Sequence, residues 1–241
     1  MKQTVIQLSD VHFRYPDQDK DLLNIADFQI YQGGHLLIHG ASGSGKTTLL
    51  NIITGISQPS SGTVQVLDKS LQNLSNTQRD QFRVDYLGII FQQFNLLPYL
   101  SLLENVKLPC WFSKKRQRVV TNTQQTAERL LEELSLSPTL FNKPVNTLST
   151  GQQQRVAVAR ALIGAPKIII ADEPTSSLDE GNRQRFLQLL FQQADKQQST
   201  VVFVSHDTTI AKYFSRVIEL SEINQAVEGD STTHFDSKES K

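Results

Sequence analysis

Residues 36–55 read LLIHGASGSGKTTLLNIITG, and the reading of this stretch decides the fold. Leu36 to His39 is a short apolar run of the strand type, and Gly40-Ala41-Ser42-Gly43-Ser44-Gly45-Lys46-Thr47 fits the spacing G-x-x-x-x-G-K-[ST]. Lys46 to Thr54 then carries Leu49, Leu50, Ile52 and Ile53 on one helical surface and stops at Gly55. A strand, a glycine-rich turn and a helix in succession make an anion site. The glycines let consecutive backbone N–H groups turn inward, and the helix N-terminus adds its partial positive charge. Lys46 is placed to reach the β and γ phosphates of a nucleotide, and Thr47 offers a hydroxyl to Mg²⁺. A dinucleotide site of the G-x-G-x-x-G type is excluded, because the glycine spacing leads to Lys-Thr with no acidic residue some 20 positions on.

Outward from this stretch, short β-branched runs recur at Val5 to Leu8, Thr63 to Leu67, Leu87 to Phe91, Ile168 to Ala171, Val201 to Val204 and Val217 to Leu220. Helical patterns lie between several of them, the alternation of a layered α/β domain. From Pro98 to about Pro144 the β runs vanish, while Ala127, Leu130, Leu131 and Leu134 keep helical spacing within Asn122 to Leu134. An all-helical insertion is therefore expected over about residues 93 to 162. From Asn224 onward, NQAVEGDSTTHFDSKESK cannot bury enough apolar surface to offset its ordering entropy and is expected to form a mobile tail.

The 24 Lys+Arg balance the 24 Asp+Glu, so nothing electrostatic points to nucleic acid. Cys110 is the single cysteine, which excludes an intrachain disulfide and a cysteine-built zinc site. No apolar run approaches the roughly 18 residues of a spanning helix, and the N-terminus lacks a signal peptide's apolar core. A membrane connection is thus expected to run through a partner. The many glutamines, among them Gln152 to Gln154, Gln192, Gln193, Gln197 and Gln198, read as solvated helix faces. So does the basic run Lys114, Lys115, Arg116 and Arg118, with contact to a membrane surface as the alternative.

Two further motifs carry chemistry. Lys167 to Glu173, KIIIADE, is a buried-type strand ending in two carboxylates, where open α/β sheets place their ligands. Beside a phosphate-binding loop, Asp172 is expected to hold Mg²⁺ and Glu173 to polarise the attacking water as general base. Leu148-Ser149-Thr150-Gly151-Gln152 precedes a helical stretch with Val156, Ala159, Ala161 and Leu162, and Ser149 is placed as its N-cap.

With these elements in order, residues 3 to 222 closely resemble the ATP-binding cassette (ABC) ATPases, whose signature L-S-G-G-Q precedes the acidic strand as LSTGQQQR precedes IIIADEP here. The resemblance implies an α/β P-loop NTPase fold, an ABC-type core with a mixed sheet plus an α-helical subdomain. The core would comprise residues 1–92 and 163–222, including an antiparallel β part, within one ATPase domain. It implies that Gly40, Ser42, Gly43, Ser44, Gly45, Lys46, Thr47 and Thr48 bind ATP, with Tyr15 stacking on adenine. Gln92 matches the glutamine that senses Mg²⁺ and the attacking water, and joins Glu173 and His206, the switch histidine, as the catalytic set. Ser177-Leu178-Asp179 resembles the D-loop. Ser149, Gly151 and Gln152 would reach the ATP of an opposite subunit, although Thr150 stands where the family usually has glycine.

The resemblance further implies a homodimer that sandwiches two ATP–Mg²⁺ head to tail. It implies a separate transmembrane permease subunit docked on the helical insertion, and a place on the cytoplasmic, inner face of the cell membrane. FQQFNLLPYLSLLENVKLP, residues 91–109, is most similar to the MacB/LolD-like group that serves macrolide and lipoprotein export. The alternative is a non-transport regulator of a membrane protein, like the cell-division cassette. A P-loop kinase would lack LSTGQ, and DNA-repair or translation cassettes would need coiled arms, zinc modules or a second cassette.

Overall fold

The computed structural model describes residues 3–176 and 178–226. Its strands are β1 (Thr4–Phe13), β2 (Leu23–Tyr31), β3 (His35–His39), β4 (Ser61–Val66), β5 (Lys69–Ser70), β6 (Leu87–Ile90), β7 (Ile168–Asp172), β8 (Thr200–Ser205) and β9 (Arg216–Glu219). Its helices are α1 (Lys46–Ile53), α2 (Asn76–Tyr86), α3 (Leu102–Phe112), α4 (Lys114–Val119), α5 (Thr123–Glu133), α6 (Thr150–Leu162), α7 (Glu180–Lys196) and α8 (Leu220–Ile223). Two sheets result: an antiparallel one in the order β2-β1-β4-β5 and a parallel one in the order β6-β7-β8-β3-β9.

The central strands read as unbroken apolar runs because both faces of the parallel sheet are covered. Leu36, Ile38, Ile168, Ile170, Val202 and Val204 share one core with α1 and the antiparallel sheet. The alternate residues Leu37, Ile169, Ala171, Val201 and Phe203 share the other with α3, α5, α6 and α7. A one-residue slip in any of these strands would exchange its two sets of side chains between the cores. The register is set accordingly, with His39 beside Ser205 and Asp172 beside Val204. Three strand ends therefore meet at one edge of the sheet.

Strand β2 was not visible in the pattern. It pairs only with β1, so half of its side chains face water and Asn24, Asp27 and Gln29 interrupt its apolar residues.

Between β6 and β7 the named elements are helices α3 to α6 with short single turns between them. Three serines start helices here and elsewhere as capping boxes: Ser75 with Gln78, Ser101 with Glu104, and Ser149 with Gln152. The Ser101 backbone N–H and hydroxyl hold the Glu104 carboxyl below its ordinary range.

Three expectations are corrected. Arg116 is not part of a solvated face: it is 1 % exposed. Its guanidinium donates to Val84 O at 2.6 Å, Ile163 O at 2.7 Å, Ala161 O at 3.2 Å and also Leu87 O, carbonyls at the ends of α2 and α6. Burial lowers its pKa to about 10, so it stays charged, and the helix C-termini supply the compensating negative potential. Gln154 and Gln193 are likewise buried, Gln154 because its Nε2 donates to Pro174 O at 2.7 Å. Asn224 is not tail. It is 1 % exposed, accepts from Asn24 N at 2.8 Å and donates to Leu22 O at 3.0 Å, which fastens the end of α8 to β2. Residues 227–241, the rest of the expected tail, lie outside the described residues, as does Ser177.

Candidate nucleotide-binding and catalytic site

The loop after β3 turns tightly because Gly43 (φ 79°) and Gly45 (φ 103°) take left-handed backbone. At Gly45 a Cβ would also approach Leu23 Cδ2 to 2.9 Å. Gly45 then caps α1 with no side-chain cap, which leaves the helix N-terminus open for an anion. Lys46, 5 % exposed, folds back over the loop and donates to Gly40 O at 2.9 Å and Ala41 O at 2.8 Å. Ser44 Oγ is buried without a partner. A buried hydroxyl of this kind is costly unless a ligand completes it, and a phosphate oxygen would do so.

The acidic strand end meets this loop across the sheet. Thr47 Oγ1 donates to Asp172 Oδ1 at 3.2 Å, so a hydroxyl and a carboxylate converge. Burial raises the Asp172 carboxyl above its ordinary range, against the opposing bond from Thr47. A cation beside it would relieve that burden. The donor set, one hydroxyl and one carboxylate oxygen next to a phosphate seat, fits Mg²⁺, which takes few protein oxygens and completes its shell with water and phosphate.

Glu173 follows in left-handed backbone (φ 42°), anchored by its N–H to Val204 O at 3.1 Å. This unusual conformation for a non-glycine residue turns its side chain into the cleft. Its Oε1 lies 3.5 Å from Lys46 Nζ and its Oε2 2.6 Å from His206 Nδ1.

A cleft of about 440 Å³ is lined by Tyr15, Gln18, Leu22, Ser42, Gly43, Gly45, Lys46, Thr47, Thr48, Gln92 and Glu173. Tyr15 is half-exposed at its mouth, with its ring edge on Phe13 and its hydroxyl 3.1 Å from Thr48 Oγ1. Gln18 and Leu22 were not singled out from sequence; only the return of the chain from β1 to β2 brings them there.

Ser149, Gly151, Gln152 and Asp179 are elsewhere. Together with Thr150, Arg155, Asn182 and Arg185 they line a separate depression of about 540 Å³. Ser149 Oγ and Gln152 are engaged in the capping box that starts α6. A Cβ on Gly151 would meet nothing within 4 Å. Thr150, the first residue of α6, has no positive φ, so the backbone there does not require glycine. Asp179 caps α7, and the Asn182 backbone N–H holds its carboxyl below the ordinary range.

Sequence reasoning missed three residues that fix these loops. Arg183 donates to Leu178 O at 3.1 Å and to Thr209 Oγ1 at 3.2 Å and is paired with Asp207, joining the loop before α7 to the one after His206. Arg160 donates to Phe94 O at 2.5 Å and Asn95 O at 2.6 Å, two residues in left-handed backbone just beyond Gln92. Gln154 ties α6 to Pro174. Arg160 and Gln154 act on carbonyls distant in sequence, and Arg183 on side chains more than 20 residues away, which no local pattern reveals.

The family profile described as ABC transporter matches residues 23–176. The lipoprotein-releasing system ATP-binding protein LolD of Saccharophagus degradans is 38% identical over 224 residues, which cover 91% of this chain and 96% of that one. The macrolide export ATP-binding/permease protein MacB of Pectobacterium atrosepticum is 40% identical over 222 residues; the match covers 91% of this chain but only 33% of MacB. Among solved structures, the dimeric post-hydrolysis state of the ATP-binding cassette MJ0796 bound to ADP and Pi superposes with a TM-score of 0.79 at 36% identity, covering 89% of this chain and 93% of that one.

Proposed function

Since this chain belongs to the ABC transporter family and is an ATPase cassette of it, we propose that two copies close head to tail around two ATP molecules, each copy lending a different half of each site. One observation carries this reading: the phosphate-binding cleft and the Ser149–Gln152 depression are separate surfaces of the same chain. The nucleotide seated on Lys46 of one copy is then covered by Ser149 and Gly151 of the other. The MJ0796 cassette, dimeric and bound to ADP and Pi, supports a dimer that carries nucleotide.

Within the cleft, Glu173 is the base that takes the proton from the attacking water, giving ADP and phosphate from ATP and water. His206 donates from Nδ1 to Glu173 Oε2, and Oε1, 3.5 Å from Lys46 Nζ, is the oxygen turned toward the phosphate seat. Lys46 holds phosphate charge, Tyr15 stacks on the adenine, and Gln92, which lines the same cleft, senses Mg²⁺ and the attacking water. Thr47 and Asp172 are the residues that would hold Mg²⁺, which, when bound, neutralises charge on the phosphate oxygens.

No helix among the described residues is long and apolar enough to cross a membrane. We place the chain on the inner face of the cell membrane, docked to a separate permease subunit. A groove of about 320 Å³ suits that partner: Ile56, Val84, Leu87, Phe91 and Pro109 line it, and Phe91 adjoins Gln92. The likeness to LolD and MacB supports export or mechanical extraction at the membrane as the work done. The test is light scattering of the Glu173→Gln protein with and without ATP–Mg²⁺. A monomer that becomes a dimer only with ATP–Mg²⁺ supports the sandwich; a chain that stays monomeric with ATP and the groove's partner both present overturns it.

A further inference from the structure

The turn between α3 and α4 exposes an unusual combination. Trp111 is 55 % and Phe112 67 % exposed, and both end α3 with no apolar cover. Ser113 follows as a fully buried cap, and α4 then runs through Lys114, Lys115, Arg116, Gln117, Arg118 and Val119. The buried guanidinium of Arg116 fixes the rotation of α4. At about 100° per residue, Lys114 and Arg118 fall on the face opposite Arg116, with Lys115 beside them. All three are exposed, and among the described residues none is paired with a carboxylate. Lys115 lies over the Tyr86 ring at 3.7 Å from its centre. The nearby Asp85 carboxylate is occupied by Ser113 and by Gln81 Nε2 at 2.9 Å.

A chain with no net charge thus gathers three unneutralised cations beside two exposed aromatic side chains. Scattered exposed aromatics need no explanation, but adjacent ones beside three exposed cations do. Indole and phenyl rings settle in the headgroup layer of a bilayer, and lysine and arginine heads pair with anionic lipid phosphates. Long basic side chains bury their stems along the same surface while keeping their charge at the phosphates.

We propose that this turn is a seat for an anionic lipid surface, with Trp111 and Phe112 entering the headgroup layer and Lys114, Lys115 and Arg118 against the lipid phosphates. The surface adjoins the groove assigned to the permease, since Pro109 and Arg116 line that groove. It would therefore hold the cassette against the bilayer beside its partner. The contact needs no nucleotide, so its test and that of the ATP sandwich fail independently.

Trp111 is the only tryptophan, which makes its fluorescence a direct probe. The nucleotide-free protein is mixed with vesicles of phosphatidylglycerol and phosphatidylcholine in equal parts, with phosphatidylcholine vesicles, or with inorganic phosphate. The expected result is a shift of emission to shorter wavelength and co-sedimentation with the anionic vesicles alone, reversed by salt. The triple variant Lys114→Gln, Lys115→Gln, Arg118→Gln leaves Arg116 and the cleft intact. It should lower vesicle binding on the order of 100-fold, from three cations each worth about fivefold, with its ATPase rate unchanged. Equal binding to phosphatidylcholine, the same shift with phosphate, or unaltered binding by a folded triple variant overturns the proposal. So does an unmoved Trp111 on every vesicle, the result expected if a protein covers this surface.

Discussion

Glu173 and His206 lie 33 positions apart in sequence, yet Glu173 Oε2 is 2.6 Å from His206 Nδ1. A carboxylate only accepts, so the imidazole donates from Nδ1 and its tautomer is fixed by Glu173. The contact exists because β7 and β8 are neighbours in register, with Asp172 beside Val204.

Replacing Glu173 by Gln removes the proton acceptor but keeps the shape. ATP turnover is expected to fall on the order of 100- to 10,000-fold, while nucleotide binding persists. Phosphate release and equilibrium nucleotide binding, measured on the same preparation, check the split. Near-native hydrolysis would exclude Glu173 as the base.

Lys46→Ala removes the lysine that lines the cleft and frees the Gly40 and Ala41 carbonyls. ATP affinity is expected to weaken roughly 10- to 100-fold, the worth of charged hydrogen bonds, with turnover falling alongside. Titration with a fluorescent ATP analogue distinguishes this from a loss of turnover alone.

Arg160 is a half-buried cation whose hydrogen bonds go to the Phe94 and Asn95 carbonyls. Burial lowers its pKa to about 10, so it remains charged at neutral pH. Arg160→Ala should cost about 1–3 kcal/mol in urea unfolding and should lower turnover by loosening the segment that carries Gln92. A variant with lost stability and unchanged turnover would confine Arg160 to a structural role.

Gly88 admits no side chain: a Cβ there would stand 2.4 Å from Ala161 O, a backbone atom that cannot swing away. Gly88→Ala is expected to destabilise the protein by about 1–3 kcal/mol. An unchanged urea midpoint would mean that α6 can shift away from β6.

His35 stacks on Phe191 at 4.3 Å between ring centres, and its Nδ1 is buried without a partner. Burial lowers its pKa below the ordinary histidine value, against the pull of Asp195 at 3.2 Å. The fold therefore favours neutral His35. Its contribution is intact above pH of about 6.5, the unfolded value, and is lost as pH falls from there through the lowered folded value. Replacing His35 by Phe should flatten the decline of the urea midpoint over that range; an equal decline in both proteins would assign the acid sensitivity to other groups.

The phosphate loop, the acidic pair and the Ser149 cap were legible because each is local. Glycine spacing, a charge pair at a strand exit and a serine three residues before a glutamine all act on neighbouring backbone. Arg116 and Gln154 show the limit of such reading. Their residue types predict solvent, and only the convergence of helix ends and of Pro174 on them makes burial favourable. Arg160 and Arg183 were invisible for the same reason, since Arg160 meets the Phe94 and Asn95 carbonyls and Arg183 the Asp207 and Thr209 side chains, all many residues away.

The sequence alone thus determined the layered α/β core, the glycine-rich loop and the place of two carboxylates at a strand end, through periodicities and spacings written in adjacent residues. Only the tertiary structure decided that Glu173 meets His206, and that Ser149 and Gly151 line a different depression from Lys46. Those relations depend on strand order and register, which bring distant residues together through burial on both faces of one sheet, and no local preference encodes them.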